Sequence, residues 1–158
     1  MGEVDAGDCR LIWIGLRPGR RAVVDERHSA VAEAGSGLVG DHATQGRHSH
    51  RQLTLITTTD LEALERNLGR KVEPTELRRN LLLEGLLPSW KKGLQYRLGD
   101  VLLEVTGPCE PCGRMREVLG QNGYLAMRGH GGVTARILRG GLVQLGQSLL
   151  PAQMDLFG

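Results

Sequence analysis

The sequence predicts a mainly β domain with short helices, of the α+β class, and three observations carry that expectation. Its 23 glycines and six prolines are spread through 158 residues, cutting the chain into short pieces. The runs LIWIGLR at 11–17, RQLTLIT at 51–57 and VTARILRG at 133–140 are apolar and rich in branched side chains, which suit a pleated, half-buried surface. In contrast, LEALERNLGR at 61–70 places Leu61, Leu64 and Leu68 on one helical face. A chain of this length buries a core as one domain, expected over 1–150, with a tail from 151 to 158 after the break at Pro151.

Taken in order, LIWIGLR and AVV at 22–24, joined through PGR, predict a strand pair around a turn. Residues 29–50, SAVAEAGSGLVGDHATQGRHSH, predict a loop in which Gly35, Gly37, Gly40 and Gly46 allow tight backbone. After the strand at 51–57, Thr59 or Asp60 caps the helix, Glu62 and Arg66 pair along it, and Gly69 ends it. Pro74 opens a short helical turn through Leu77. The leucine-rich run from Asn80 to Leu87 is a buried strand or a buried helix, and periodicity does not choose between them. LQYRLGDVLLEVT at 94–106 predicts two strands hinged at Gly99-Asp100, and PCGRMREVLG at 111–120 a short helix between proline and glycine. VTARILRG and LVQLGQSLL at 142–150 are the closing strands.

Composition removes several functions. Aromatic residues are only 3% of the chain, which argues against stacking platforms for single-stranded nucleic acid and against direct nucleic-acid binding. The net charge of +2 comes from an arginine-dominated set of cations, with lysine only at 71, 91 and 92, so local arginine clusters carry more meaning than the sum. Three cysteines, an odd count without a secretory leader, predict a reducing, cytoplasmic setting. The apolar run at 11–16 is too short to span a membrane.

The candidate chemistry starts at GPCEPCGRM, residues 107–115. Cys109 and Cys112 have the spacing of a redox pair, of half a zinc site completed by His48 and His50 or by His130, or of two buried thiols. The residues alone leave these open. Cys9 has no such company and is expected to be a buried filler. In ELRRNLLLEGL at 76–86, Arg78, Arg79 and Asn80 stand together before an apolar run, where guanidinium forks suit a phosphate or carboxylate. A solvated basic turn is the alternative. GHGGVTARILRGG at 129–141 adds His130, Arg136 and Arg139 beside glycines that let a ligand approach the backbone.

Five segments in order, GLVGDHA (37–43), RQLTLIT (51–57), RRNLLLEGL (78–86), LGDVLLEVTGPCEPCGRM (98–115) and GHGGVTARIL (129–138), together resemble the MOSC domain, named from the C-terminal part of molybdenum cofactor sulfurases. The resemblance covers roughly residues 10–150 and implies a β-barrel-like fold with a pocket for the molybdenum cofactor, molybdopterin. It implies that Cys112, the cysteine after proline, gives its thiolate to molybdenum, beside the pterin dithiolene and oxo groups. Cys109 falls at a more variable position. Arg78, Arg79 and Asn80 match a segment implied to hold the pterin phosphate or line the substrate mouth, with Arg51 and Arg136 as weaker matches. Asp41 matches an aspartate expected to be structural.

Stand-alone relatives resemble reductases of N-hydroxylated compounds, so the implied activity is a molybdenum-dependent oxidoreductase with Cys112 catalytic; His130 is added to it as the proton source, because reduction consumes protons and histidine titrates near neutrality. The chain has neither an iron–sulfur cysteine set nor a dinucleotide fingerprint, which implies a separate flavin or iron–sulfur electron-transfer partner. The alternative is a non-enzymatic sulfur carrier, with a persulfide on Cys112, or a cofactor-binding module. Two departures from the family pattern bear on substrate: Gly146-Gln147 replaces a Gly-Asp turn, and HATQGRHSH at 42–50 replaces a glycine pair. Finally, Gln153 to Phe157 in the tail resembles the short peptide that docks bacterial proteins on the DNA sliding clamp, which implies that partner for this chain.

Overall fold

The computed structural model describes residues 9–19, 22–42, 51–85, 90–109, 120–121 and 130–152. Eight strands form the larger sheet: β1 (Cys9–Leu16), β2 (Asp25–Arg27), β5 (Leu53–Thr57), β6 (Leu81–Gly85), β7 (Gln95–Leu98), β8 (Val101–Pro108), β9 (Val133–Arg139) and β11 (Leu149–Pro151). Their order across it is β11-β7-β8-β9-β5-β6-β1-β2. A second sheet runs β10-β3-β4, from β3 (Ser29–Glu33), β4 (Gly37–Leu38) and β10 (Gly141–Gln144).

Among the described residues every ladder is antiparallel except β5 with β6, where Leu55 lies opposite Leu81. That parallel pair needs a crossover, and α1 (Thr58–Leu68) with α2 (Pro74–Leu77) supplies it. The α1 helix starts where Thr57 accepts a bond from the Asp60 backbone N–H, and stops at Gly69, whose φ of 72° is easy only for glycine. Its Leu64 packs with Ile56, Val72, Leu77 and Leu82 against one face of the sheet. The main core fills the opposite face, with Leu11, Ile14, Leu53, Leu55, Leu81, Leu83, Leu98 and Val101 buried together. Burial on both faces explains why the leucine run at 80–87 shows no alternation, and its central part is strand β6.

The barrel expected from the family resemblance is not what the chain forms, and the class is corrected to a mixed α and β arrangement with two sheets. The larger sheet ends at β2 and β11; among the described residues β1 meets the stretch before β11 through the isolated bridge of Arg10 with Ser148 and the backbone bonds of Leu11 with Gly146 and Gln147, without a ladder between β1 and β11. Gly146, at φ 93°, turns the chain so that 142–150 is not one strand; its first part pairs with β3 in the second sheet and its last part with β7. Gln147 secures this turn, its Oε1 accepting from the Gln144 N–H at 2.9 Å and its Nε2 donating to the Leu142 carbonyl at 3.1 Å. The segment 29–50, expected to be loop, contains β3 and β4. The alternating pattern of Ser29–Glu33, with Ala30 and Ala32 buried, is the signal that its glycines obscured. The strand expected at 22–24 lies instead at Asp25–Arg27.

Candidate functional site

A polar centre lies where the end of β1, the start of β6 and the turn after β4 converge. α2 is capped by Glu76, whose Oε1 accepts from the Glu73 N–H at 3.0 Å, and it ends at Arg78. Arg78 is left-handed, at φ 54° and ψ 39°, a costly conformation for a side chain with a Cβ. That turn sends Arg78, Arg79 and Asn80 inward, where all three are buried.

Asn80 is fully enclosed and is a junction between segments. Its Oδ1 accepts from the Thr54 N–H at 3.0 Å and from the Thr54 hydroxyl at 3.2 Å. Its Nδ2 donates to the Gly15 carbonyl at 3.0 Å and to Asp41 Oδ1 at 3.1 Å. Both hydrogen-bonding ends of the amide are thus occupied, tying β1, β5, β6 and the turn after β4 together. Asp41 in turn binds Arg17 through paired contacts, Nε to Oδ1 at 3.1 Å and Nη2 to Oδ2 at 3.0 Å. The Arg17 backbone N–H donates to the same carboxylate at 2.7 Å. With the Asp41 side chain at 0% exposure, this fork is a buried ion pair rather than a surface one.

The two arginines of the RRN segment also face inward. Arg78 donates to the carbonyls of Ala22 at 2.6 Å and Gly19 at 3.0 Å, holding the turn between β1 and β2. Arg79 donates to Gly131 O at 2.8 Å, Leu77 O at 3.2 Å and Cys109 O at 3.5 Å. It therefore clasps residues 109 and 131, the two sides of the excursion between β8 and β9. The Cys109 N–H adds a bond to Gly132 O at 2.9 Å. A Cβ at Gly131 would lie 2.0 Å from the Cys109 carbonyl oxygen, and one at Gly132 2.0 Å from that of Leu55. These glycines serve the approach of backbone to backbone.

Beside this neck, His130 Nδ1 lies 3.4 Å from Asp60 Oδ1 in the first turn of α1. The remaining expected residues lie elsewhere. Arg136 forms a cross-strand ion pair with Glu104, its Nε at 2.7 Å, and Arg51 is exposed just before β5. Cys9 and Cys109 are buried thiols. Cys112, the helix expected at 111–120, His48, His50 and the tail from Gln153 to Phe157 lie outside the described residues. Among the described residues no group of three or more His, Cys, Asp or Glu could hold a metal ion, and no helix is long and apolar enough to cross a membrane.

Sequence reasoning missed Arg17 and Asp60. Arg17 reads in sequence only as the end of the LIWIGLR strand, and its partner is 24 positions away. Asp60 was seen only as a helix cap, because its partner is 70 positions away.

An open sheet with a parallel βαβ step, a buried RRN junction and a neck before a P-C segment define the class. The MOSC domain model matches residues 26–150, and the chain belongs to that family, which is associated with the molybdenum cofactor. Among solved structures it is similar to the YuaD protein from Bacillus subtilis, with a TM-score of 0.78 at 16% identity, covering 92% of this chain and 97% of that one. YiiM from Geobacillus stearothermophilus gives a TM-score of 0.74 at 15% identity over 94% of this chain and 77% of its own. YiiM from Escherichia coli gives 0.67 at 18% identity over 92% and 70%. No curated protein sequence matches the chain.

Proposed function

We propose that this protein binds the molybdenum cofactor through the thiolate of Cys112 and reduces N-hydroxylated compounds in the cytoplasm, with electrons from a separate flavin or iron–sulfur protein. Family membership supports the cofactor, and the observation that supports Cys112 as its ligand is the clasped neck. Arg79 and the paired glycines fix residue 109, three positions before Cys112.

The donor set fits the group. A centre already held by a dithiolene and oxo ligands takes one soft thiolate from the protein, so a cluster of three side-chain ligands is not required of this chain. When bound, the cofactor supplies oxygen-atom removal. The chain's own residues supply placement. Arg79 and Asn80 hold the backbone that leads toward Cys112, Arg78 fixes the turn after β1, and Arg51, exposed just before β5, would meet anionic groups. Arg136, fixed by Glu104, is a weaker contact for them. His130 supplies protons that the reduction consumes.

The test is molybdenum and pterin analysis of protein made in cells that synthesise the cofactor, followed by reductase assay with a donor protein. Wild type and Cys109→Ser are expected to carry cofactor and activity, and Cys112→Ser neither. Sulfane sulfur on Cys112 without molybdenum would instead identify a sulfur carrier. The tail is tested apart: loss of sliding-clamp affinity on deleting 153–158 supports docking through Gln153 to Phe157, and unchanged affinity removes it.

A further inference from the structure

We infer that Asp60 is a positioning residue for His130, holding the imidazole by Nδ1 so that Nε2 is the nitrogen that delivers a proton to the substrate. The inference rests on the reductase reading and adds to it a residue that the family resemblance did not mark.

The geometry has two fixed supports. Asp60 is set by the N-terminus of α1: its backbone N–H donates to Thr57 Oγ1, and the Thr57 hydroxyl donates to Asp60 Oδ2, each at 3.2 Å. Oδ1 of the same carboxylate faces His130 Nδ1. On the other side, the carbonyl of Gly131 is clamped by Arg79, so the backbone following the histidine is held as well. The imidazole lies between these supports at 39% side-chain exposure, open enough to meet a substrate, whereas Asp60 is 21% exposed.

A carboxylate accepting at Nδ1 selects the tautomer with hydrogen on that nitrogen, and makes Nε2 the atom that gains and loses the working proton. In the overall reaction an N-hydroxyl compound takes up electrons from the donor protein and protons in equal number, giving the amine and water. The donor form is the imidazolium: its Nε2–H bond breaks and an O–H bond forms on the substrate hydroxyl as the N–O bond breaks, so the oxygen ends as water. The two electrons from the donor protein and a second proton from solvent go to nitrogen and give the amine. The ring left behind is the neutral Nδ1–H form, reprotonated at Nε2 from solvent.

The test uses the full-length chain labelled with nitrogen-15, with the His130 tautomer read from long-range proton–nitrogen couplings. Wild type is expected to show the Nδ1–H form of the neutral ring. Asp60→Ala keeps the Thr57 cap, which the backbone N–H of residue 60 donates to Thr57 Oγ1, and is expected to shift His130 toward Nε2–H. In the cofactor-loaded enzyme, kcat should fall about tenfold in Asp60→Ala and about a hundredfold in His130→Gln at unchanged molybdenum content, with Asp60→Glu recovering part of the loss. An Nε2–H ring in wild type, the same tautomer in both proteins, or undiminished kcat in Asp60→Ala would overturn the inference. The tautomer is read without cofactor or substrate. Wild type that shows Nδ1–H, carries molybdenum and reduces nothing therefore sustains the positioning while overturning the reductase reading and the proton delivery built on it.

Discussion

The junction at Asn80 and the neck at residues 109 and 131 both come from polar, arginine- or glycine-marked motifs, yet they behave differently. At the junction, the contacts of Asn80, Arg17 and Asp41 run inward to amides, carbonyls and one another, and Asn80 has no exposed surface. At the neck, Arg79 is buried in the same way, but the adjacent His130 faces solvent in part and carries a carboxylate partner. The contrast shows that donors clustered in sequence can be taken up by internal carbonyls, as those of Arg78, Arg79 and Asn80 are. RRN is architecture that supports a site, and the chemistry is expected one layer further out.

The largest expected break of this contrast is at the junction. Asn80→Asp places a second carboxylate against Asp41 in a buried setting and withdraws the donor to Gly15, a loss of about 3–5 kcal/mol read from the urea midpoint. A variant of wild-type stability would return RRN to the ligand-binding reading. At the neck, Arg79→Lys keeps the charge but not the fork, and should cost about 1.5–3 kcal/mol. It should also raise hydrogen exchange at 107–109 and 131–134 before the rest of the sheet. Uniform exchange across β8 and β9 would deny the clasp.

The smallest effect is expected at the start of α2. Arg70, by hydrogen bonding, and the Glu73 N–H hold the Glu76 carboxyl below its ordinary value, against burial, which raises it. A group whose folded pKa is depressed stabilises above its unfolded pKa, here near 4.5, and loses that contribution as pH falls through the folded value. Glu76→Gln keeps an acceptor for the Glu73 N–H but loses the charged partner of Arg70, so it should lower the urea midpoint slightly at neutral pH and progressively less in acid. A gap that widens on acidification would reverse the assignment.

Much of the local structure was legible because its signals are local. Gly69 ended α1 as its sequence position implies, and Gly99-Asp100 separates β7 from β8. What could not be read depends on distant partners. The division of 142–150 between two sheets is set by pairing with β3 on one side and β7 on the other, which no periodicity within the segment encodes. Barrel closure was carried over from the family, not from these residues, and Gly146-Gln147 turns the chain away from one continuous strand. In the RRN segment the sequence shows the polar residue types but not their direction: the left-handed turn at Arg78 sends the following side chains inward.

The most direct measurement of the central claim is the molybdenum content of wild type and Cys112→Ser, purified side by side from cells that make the cofactor. The account predicts about one molybdenum per chain in wild type and essentially none in the variant, with equal thermal stability in the cofactor-free proteins. Equal molybdenum in the two proteins, or none in wild type under conditions that load a related enzyme, would contradict it.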